Sequence, residues 1–435
     1  MTQGTSSKES SEALARAQAA RLFFTWSAQH HVEALTIDQA HGARFHTPEH
    51  GWLWDLESQV YNVNVGHGHP HVQERMIAQI RDQATAAPNV VLPIRAELGA
   101  LLHRVTGLEK AFLATGGSEA VENAIKIARM VTGRSKIITR RSSYHGATLA
   151  VLGVAGDARK EPFARDLAPA FHIEDPYPCP PGTPSAWVRS LESLLAAEDP
   201  STVAAILLEG FTGTNGMQIP PADFWPRARA LCDEHGILLI DDEIFSGFGR
   251  TGRWFAREHW GARPDMMVLG KGLSSGYAPL SAVMVSAAIA RHFDEHKLWC
   301  GLTQYAHPVS CAAAVAVIEV MEREQLVDNS DRVGAALHER LSALTADDLA
   351  WAADHLLADG RLIPALAHDL RARCLAVGVP QHAEVFTTLV LGRLEVELGS
   401  LEKDEDGRPD LGRIGALLTV QRVGVWLKTG LHAAT

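Results

Sequence analysis

No stretch of this 435-residue sequence reaches the roughly 18 consecutive apolar residues that a membrane-spanning helix requires. The opening twenty residues, MTQGTSSKESSEALARAQAA, are polar and lack the apolar centre of a secretory leader. A soluble, cytoplasmic chain is the expectation, with no membrane partner. Cysteine is scarce: five residues (Cys179, Cys232, Cys300, Cys311, Cys374), odd in number, scattered and never at C-x-x-C spacing. That pattern argues against a disulfide framework and against a zinc site, and for reduced thiols. Basic charge is in deficit, with 40 Lys and Arg against 51 Asp and Glu, for a formal net charge of −11. An acidic chain without basic clusters is a poor partner for nucleic acid or an anionic membrane. No internal repeat and no low-complexity domain is present.

What is present is an ordinary globular balance, 46% hydrophobic and 21% charged. At about 100–200 residues per domain, two domains are expected. Residues 1 to about 10, rich in Ser, Thr and Gly, read as disordered, and a helical pattern then runs to about Gln29. GARFHTPEHGWLWDL alternates polar and apolar residues around a turn, as a hairpin does. HPHVQERMIAQIRDQA has helical spacing. Strands and helices then alternate: KAFLA, SKIIT, VAAILLE, GILLI, MMVLG and LSAVMV are strands, and GGSEAVENAIKIARMV, AWVRSLESLLAAE and PADFWPRARALCDEH are helices. Alternation of this kind predicts an α/β fold with a mostly parallel sheet and helices on both faces. Such sheets bind ligands at the carboxyl ends of their strands. Helices dominate from Val309 to about Leu344.

Five segments carry candidate chemistry. In PDMMVLGKGLSSGYAPLSAV, Lys271 leaves the end of an apolar strand between Gly270 and Gly272. A buried lysine is costly while charged, and a neutral one is a nucleophile whose typical use is a Schiff base. A lysine snorkelling from a loop is the plain alternative. In ATGGSEAVENAIKIAR a strand runs through Gly116, Gly117 and Ser118 into a helix. That is an anion site if the helix amides are open, or an N-cap by Ser118. In SSYHGAT, Tyr144 and His145 offer an aromatic face to a flat ring, or a buried tyrosine.

In GILLIDDEIFSGFGRTGRWF three acids, Asp241, Asp242 and Glu243, end an apolar strand and repel one another unless neutralised. A divalent metal lacks locally spaced extra ligands here. A protonated heterocyclic nitrogen is the other partner, an N-capping acid cluster the ordinary alternative, and Arg250 could pair with one acid. In CGLTQYAHPVSCAAAVAVIEVME, Thr303 precedes an alanine-rich helix, where it bonds a phosphate or caps.

Taken in order from about Trp26 to Glu322, these segments resemble the class III aminotransferases, pyridoxal-phosphate enzymes of the aspartate-aminotransferase fold. The resemblance is carried by SQVYNVNVGHGHPHV, GGSEAVENAIKIAR, YHGAT, LLEGFTGTNGMQIPP, LIDDEIFSGFGRTGRWFAREHWGARPDMMVLGKGLSSGYAPLSAV and GLTQYAHPVSCAAA. WFAREHWGARPD and KGLSSGYAPL look most like the ω-amino acid and amine:pyruvate branch. The resemblance implies fold type I, with a smaller α+β domain beside the large one. Residues 1–70 would join the small domain and the pocket, 71–310 would form the cofactor-binding domain, and 311–435 the C-terminal small domain.

The resemblance also implies site roles. Lys271 forms the internal aldimine with pyridoxal 5′-phosphate and shuttles the proton; Asp242 keeps the pyridine nitrogen protonated. Ile244 and Tyr144 cover the two ring faces, with His145 beside the cofactor. Gly117 and Ser118 bind the phosphate, and Glu209 lies near the phenolic oxygen. Thr303 reaches the phosphate of a neighbouring subunit, which makes a homodimer the expectation. Tyr61 and Trp26 line the substrate pocket. The partners implied are a small-molecule amine donor and an oxo-acid acceptor, used in alternation. An epimerase, aminomutase or decarboxylase would share Lys271 and Asp242, and a non-catalytic homologue would need neither. The last third departs from the family. Its vRG-x-GLM strand and Pro-Pro-Leu segment are not found between Asp347 and Thr435, and the resemblance does not place Arg393, Arg413 or Arg422 on its carboxylate-binding arginine.

Overall fold

The computed structural model describes residues 3–342, apart from 33, 142, 157, 168–169, 174–184 and 214–218. The departing tail, with Arg393, Arg413 and Arg422, therefore lies outside the described residues, as does most of the 311–435 segment. The chain opens with helix α1 (Gln3–Ala19). This corrects two expectations: the first residues are helical, and the helix stops ten residues before Gln29. Strong helix formers fill the second half of α1, from Glu12 to Ala19, and their helical preference outweighs the Ser and Thr that suggested disorder. From Ala20 the chain turns.

Next come β1 (Gln39–His41), β2 (Arg44–Thr47) and β3 (Gly51–Trp54), an antiparallel three-stranded sheet that contains the expected hairpin. The turn α2 (Ser58–Tyr61) follows; φ is +60°, +46°, +61° and +65° for its four residues, so it winds left-handed. Such backbone is costly for residues with a side chain. Helices α3 (Pro70–Gln83) and α4 (Pro93–Thr106) both begin on proline, whose missing N–H is harmless there.

The main body alternates as the sequence does: β4 (Lys110–Ala114), α5 (Gly117–Thr132), β5 (Lys136–Arg140), α6 (Leu149–Val154), β6 (Phe171–Ile173), α7 (Ala186–Ala197), β7 (Val203–Glu209), α8 (Phe224–His235), β8 (Leu238–Asp242), β9 (Met266–Leu269), β10 (Ser281–Val285) and α9 (Ala287–Glu295). Two boundaries moved. The α8 helix starts at Phe224, after the Pro-Ala-Asp turn, and β8 extends through Asp241 and Asp242 instead of ending before them. Helices α10 (Pro308–Arg323) and α11 (Leu326–Ser342) close the described chain.

The seven strands lie in the order β4-β10-β9-β8-β7-β5-β6, with only β10 antiparallel to its neighbours. Side chains alternate across such a sheet. Ala205, Leu207, Ile240 and Val268 therefore pack on one face with α5. Ile206, Leu208 and Leu239 pack on the opposite face with α7 and α8, and Met267 and Leu269 there meet α4 and α10. Every residue of β7 is buried, which is why the run VAAILLE carries no alternation. The alanines of α10 allow it to lie close against α3 and α4. No helix among the described residues is long and apolar enough to cross a membrane.

Candidate active site

Parallel strands deliver their last residues to one end of the sheet. Glu209 ends β7 and Asp242 ends β8, and the two are register partners, so they project from the same face. It is the face on which α5 packs, as the parity of Leu207 and Ile240 shows. Asp241 faces the other way, with Leu239. The pleat thus divides the run of acids: Asp242 joins the site and Asp241 does not. None of the three caps a helix, because turns follow β8.

Asp242 is buried and held at both oxygens. Its Oδ2 lies 2.8 Å from Nδ1 of His145, and its Oδ1 accepts the Ile244 amide at 3.1 Å. His145 comes from the loop between β5 and α6, and its Nε2 is buried without a hydrogen-bond partner among the described residues. Glu209 lies 3.4 Å from the buried guanidinium of Arg140, and its Oε1 accepts the Gly213 amide at 3.3 Å. Burial pushes the Glu209 carboxyl above its ordinary range, against the pull of His145 and Arg140.

Lys271 follows Gly270, the first residue past β9, and takes a left-handed conformation (φ +41°). Gly272 makes the turn possible: a Cβ there would fall 2.4 Å from Asn64 Nδ2 and 2.9 Å from Phe248 Cβ. Burial lowers the Lys271 amine to a pKa of about 8; Arg250 adds to this, and Asp242 and Glu209 oppose it. About a tenth of the amine is then neutral at pH 7, far more than a lysine snorkelling into solvent would offer. Its Nζ stands 5.3 Å from the centre of the Phe245 ring, and Tyr61 meets that ring edge-on at 5.2 Å. Arg250 donates to Tyr61 O at 2.7 Å and to Asn64 Oδ1 at 3.1 Å. Arg257 brings its Nε to 4.0 Å from Asp241.

At the start of α5 the N-cap is Gly116, not Ser118. The Ser118 hydroxyl instead accepts the Ala147 amide at 2.9 Å, which ties the helix start to the Tyr144 loop. The amides of Gly117, Ser118 and Glu119 have no acceptor within the helix. Gly117 lies against Ile244, where a Cβ would come within 3.0 Å of Cδ1. Tyr144 and Trp26 meet edge-to-face at 6.4 Å. The structure thus gathers Gly117, Ser118, Tyr144, His145, Glu209, Asp242, Ile244 and Lys271, with Tyr61 joined through Phe245 and Trp26 through Tyr144. Thr303 stands apart, exposed on the turn before α10; the N-cap of that helix is His307.

Residues 25–354 match the profile of the aminotransferase class-III family. The chain belongs to that family. It is an aminotransferase of the fold type I architecture, and its cofactor is pyridoxal 5′-phosphate. Its relatives include the acetylornithine aminotransferase of Methanosarcina acetivorans, 33% identical over 66% of this chain and 68% of the relative. The 5-aminovalerate aminotransferase of Pseudomonas aeruginosa is 35% identical over 71% of this chain and 76% of its own length. Among solved structures, the taurine:2-oxoglutarate aminotransferase of Bifidobacterium kashiwanohense, in complex with PLP and glutamate, superposes with a TM-score of 0.73 at 32% identity, covering 76% of this chain and 78% of that one.

The residues of this class III chain fit the cofactor's chemistry. A depressed lysine amine suits an aldehyde, open helix amides suit a phosphate, and a pinned acid beside an orphaned imidazole suits a polar aromatic ring. Reading the sequence alone passed over Arg140, Phe245 and Asn64. Arg140 had a weak signal, a charged residue just past the apolar Ile137 and Ile138 of β5. Phe245 and Asn64 had none, because their roles depend on contacts with distant segments.

Proposed function

We propose that this enzyme moves an amino group from an amine or ω-amino acid to an oxo acid such as pyruvate, in two alternating half-reactions. The observation that carries the reading is the Lys271 amine, brought to a pKa of about 8 at the end of β9 in the field of Asp242 and Glu209. Lys271 would hold the cofactor at its aldehyde carbon, Gly117 and Ser118 its phosphate, Tyr144 and Ile244 its ring faces, and Glu209 and His145 its polar edge. The cofactor, when bound, supplies an electron-accepting ring that stabilises the charge left at the substrate carbon. Asp242, oriented by His145 and the Ile244 amide, holds a proton on the ring nitrogen. Lys271 Nζ, neutral in part at pH 7, would take the proton from the substrate Cα and return it at the cofactor's aldehyde carbon. Tyr61 and Trp26 shape the substrate side.

The same reading makes the active unit a homodimer in which Thr303 reaches the phosphate of the neighbouring subunit. Support comes from its exposed position away from the Gly117–Ser118 turn. The division into 1–70, 71–310 and 311–435, and a cytoplasmic location for a chain whose few cysteines are scattered, belong to this proposal. The deciding experiment is a panel of amine donors offered with pyruvate, with alanine as the product followed. Borohydride reduction of the holoenzyme should add the cofactor's mass to the peptide bearing Lys271. Failure to form alanine or any other amino acid from any oxo acid, together with an unmodified Lys271, would overturn the proposal.

A further inference from the structure

Arg250 is buried in the turn GFGRTG that follows β8, between Gly249 (φ +84°) and Gly252 (φ +81°). Its guanidinium donates to Tyr61 O and Asn64 Oδ1, on a segment far away in the chain. Tyr61 is the last residue of α2, whose four residues all hold positive φ although none is glycine. Val60, β-branched and 63% exposed, gains little burial in return for that conformation. Backbone of this kind persists where its surroundings over-determine it, and it gathers at functional sites. The turn's own side-chain bonds are local: Ser58 Oγ donates to Val63 O at 3.0 Å, and Asp55 Oδ1 accepts the Gln59 amide at 3.2 Å. Arg250 ties the turn to the segment that follows β8. The Phe245 ring has the Arg250 guanidinium carbon 5.8 Å from its centre and Lys271 Nζ 5.3 Å from it, and the Tyr61 ring meets it edge-on. Two basic groups thus share one ring. A buried guanidinium is costly, and a neutral side chain of the same size would fill the space without that cost. Burial brings Arg250 down to about 10, so it stays charged at neutral pH. Around Lys271, Asp242 from β8 and Glu209 from β7 favour the ammonium, and Arg250 opposes it. His145 from the β5–α6 loop is bonded to Asp242, and Tyr61 reaches the amine's surroundings through Phe245.

We propose that Arg250 is a positioning residue for the reacting amine: its bonds hold the left-handed turn so that Tyr61 stays against Phe245, and its fixed charge opposes proton uptake at Lys271 Nζ. The inference deepens the transamination reading, from which the role of Lys271 is taken. Two unit charges about 10 Å apart in a protein move a protonation midpoint by about one pH unit.

The test uses cofactor-free enzyme, so it does not depend on turnover. Lys271 is labelled with acetic anhydride over a range of pH, and its modification is read by mass spectrometry. The wild-type midpoint should lie near 8. Arg250→Gln keeps an amide that can donate to the turn and loses the charge, and it should raise the midpoint by about one pH unit. Arg250→Lys keeps the charge and loses the fork, so its midpoint should stay near that of the wild type. Asn64→Asp sets a carboxylate on the same guanidinium without removing it; its midpoint should rise as in Arg250→Gln, and this variant decides the charge effect if Arg250→Gln does not fold. Hydrogen exchange reads the turn itself. The amides of Tyr61, Asn62 and Val63 donate to Glu57 O and Ser58 O, and their exchange should quicken by about tenfold in both Arg250 variants while β7 and β8 are unchanged. An unmoved midpoint in Arg250→Gln and Asn64→Asp, equal midpoint shifts in Arg250→Gln and Arg250→Lys, or unchanged exchange in the turn overturns the proposal; equal shifts would make Arg250 a packing residue. The expected midpoints and exchange in an enzyme that turns over no donor would sink the transamination reading and leave this one standing.

Discussion

His145 Nδ1 and Asp242 Oδ2 lie 2.8 Å apart in the buried end of the sheet, and the other imidazole nitrogen has no partner among the described residues. Geometry of this kind orients a carboxyl group from behind. Asp242→Asn keeps the shape and both hydrogen-bonding positions but removes the negative charge. It should retain the cofactor and lose turnover on the order of a hundredfold or more. His145→Ala removes only the orienting partner, and losses for such supporting residues are roughly ten- to a hundredfold. Steady-state rates of the two variants, each with cofactor content measured by absorbance, check the ordering. A fully active Asp242→Asn would show that ring protonation does not depend on this acid.

Lys271 gives a pH prediction with a definite sign. Its amine is lowered to about 8 from the usual value near 10.5, mainly by burial. The neutral form is the nucleophile, so uptake of pyridoxal phosphate by cofactor-free enzyme should quicken by up to about tenfold per pH unit below 8 and level off above it. Stopped-flow absorbance at several pH values measures this. An inflection near 10.5 would mean that the amine is not perturbed. Lys271→Ala should show neither the visible band nor turnover.

Asp241 is one of two acids of the run, with Glu243, that the proposed chemistry does not use. It is fully buried, and neither carboxylate oxygen has a hydrogen-bond partner among the described residues. Burial and then the neighbouring Glu243 drive its pKa well upward, against Arg257. A folded-state pKa above the unfolded value means that stability is fully present at low pH and is lost as pH rises through the folded value. Asp241→Asn removes the titration. It should raise Tm by a few degrees at pH 8 and by less at pH 5. Calorimetric melts at the two pH values test it, and an equal shift at both would show that the charge of Asp241 is not the cause.

How far the sequence disclosed this arrangement depends on the kind of contact. The all-apolar run of β7 and the alanine-rich body of α10 announce burial on their own, and the switch between short apolar strands and longer helices gave the α/β order. The glycines around Lys271 and at Gly117 marked close approaches that the structure contains. The run Asp241-Asp242-Glu243 was visible as an anomaly, yet only the pleat reveals that Asp242 and Asp241 serve opposite faces. Residue 20 onward was misread because polar residues at helical spacing do not say where packing ends a helix.

The Lys271 turn offers the most direct steric test. Asn64 is buried there, donating to Phe248 O at 2.8 Å while accepting from Arg250. Gly272→Ala would place a methyl 2.4 Å from the Asn64 amide nitrogen and 2.9 Å from Phe248 Cβ. The obstruction is a buried, doubly bonded side chain that cannot swing away without breaking its own hydrogen bonds, each broken buried bond costing about 1–3 kcal/mol. The variant should melt several degrees lower, and because Gly272 follows Lys271 directly, the amine should move too. The expected signature is a shifted visible absorbance maximum in whatever holoenzyme survives. Asn64→Gly opens the space, so the double variant Asn64→Gly/Gly272→Ala should recover part of the stability lost by Gly272→Ala. A double variant no more stable than the sum of its parts predicts would place the clash elsewhere.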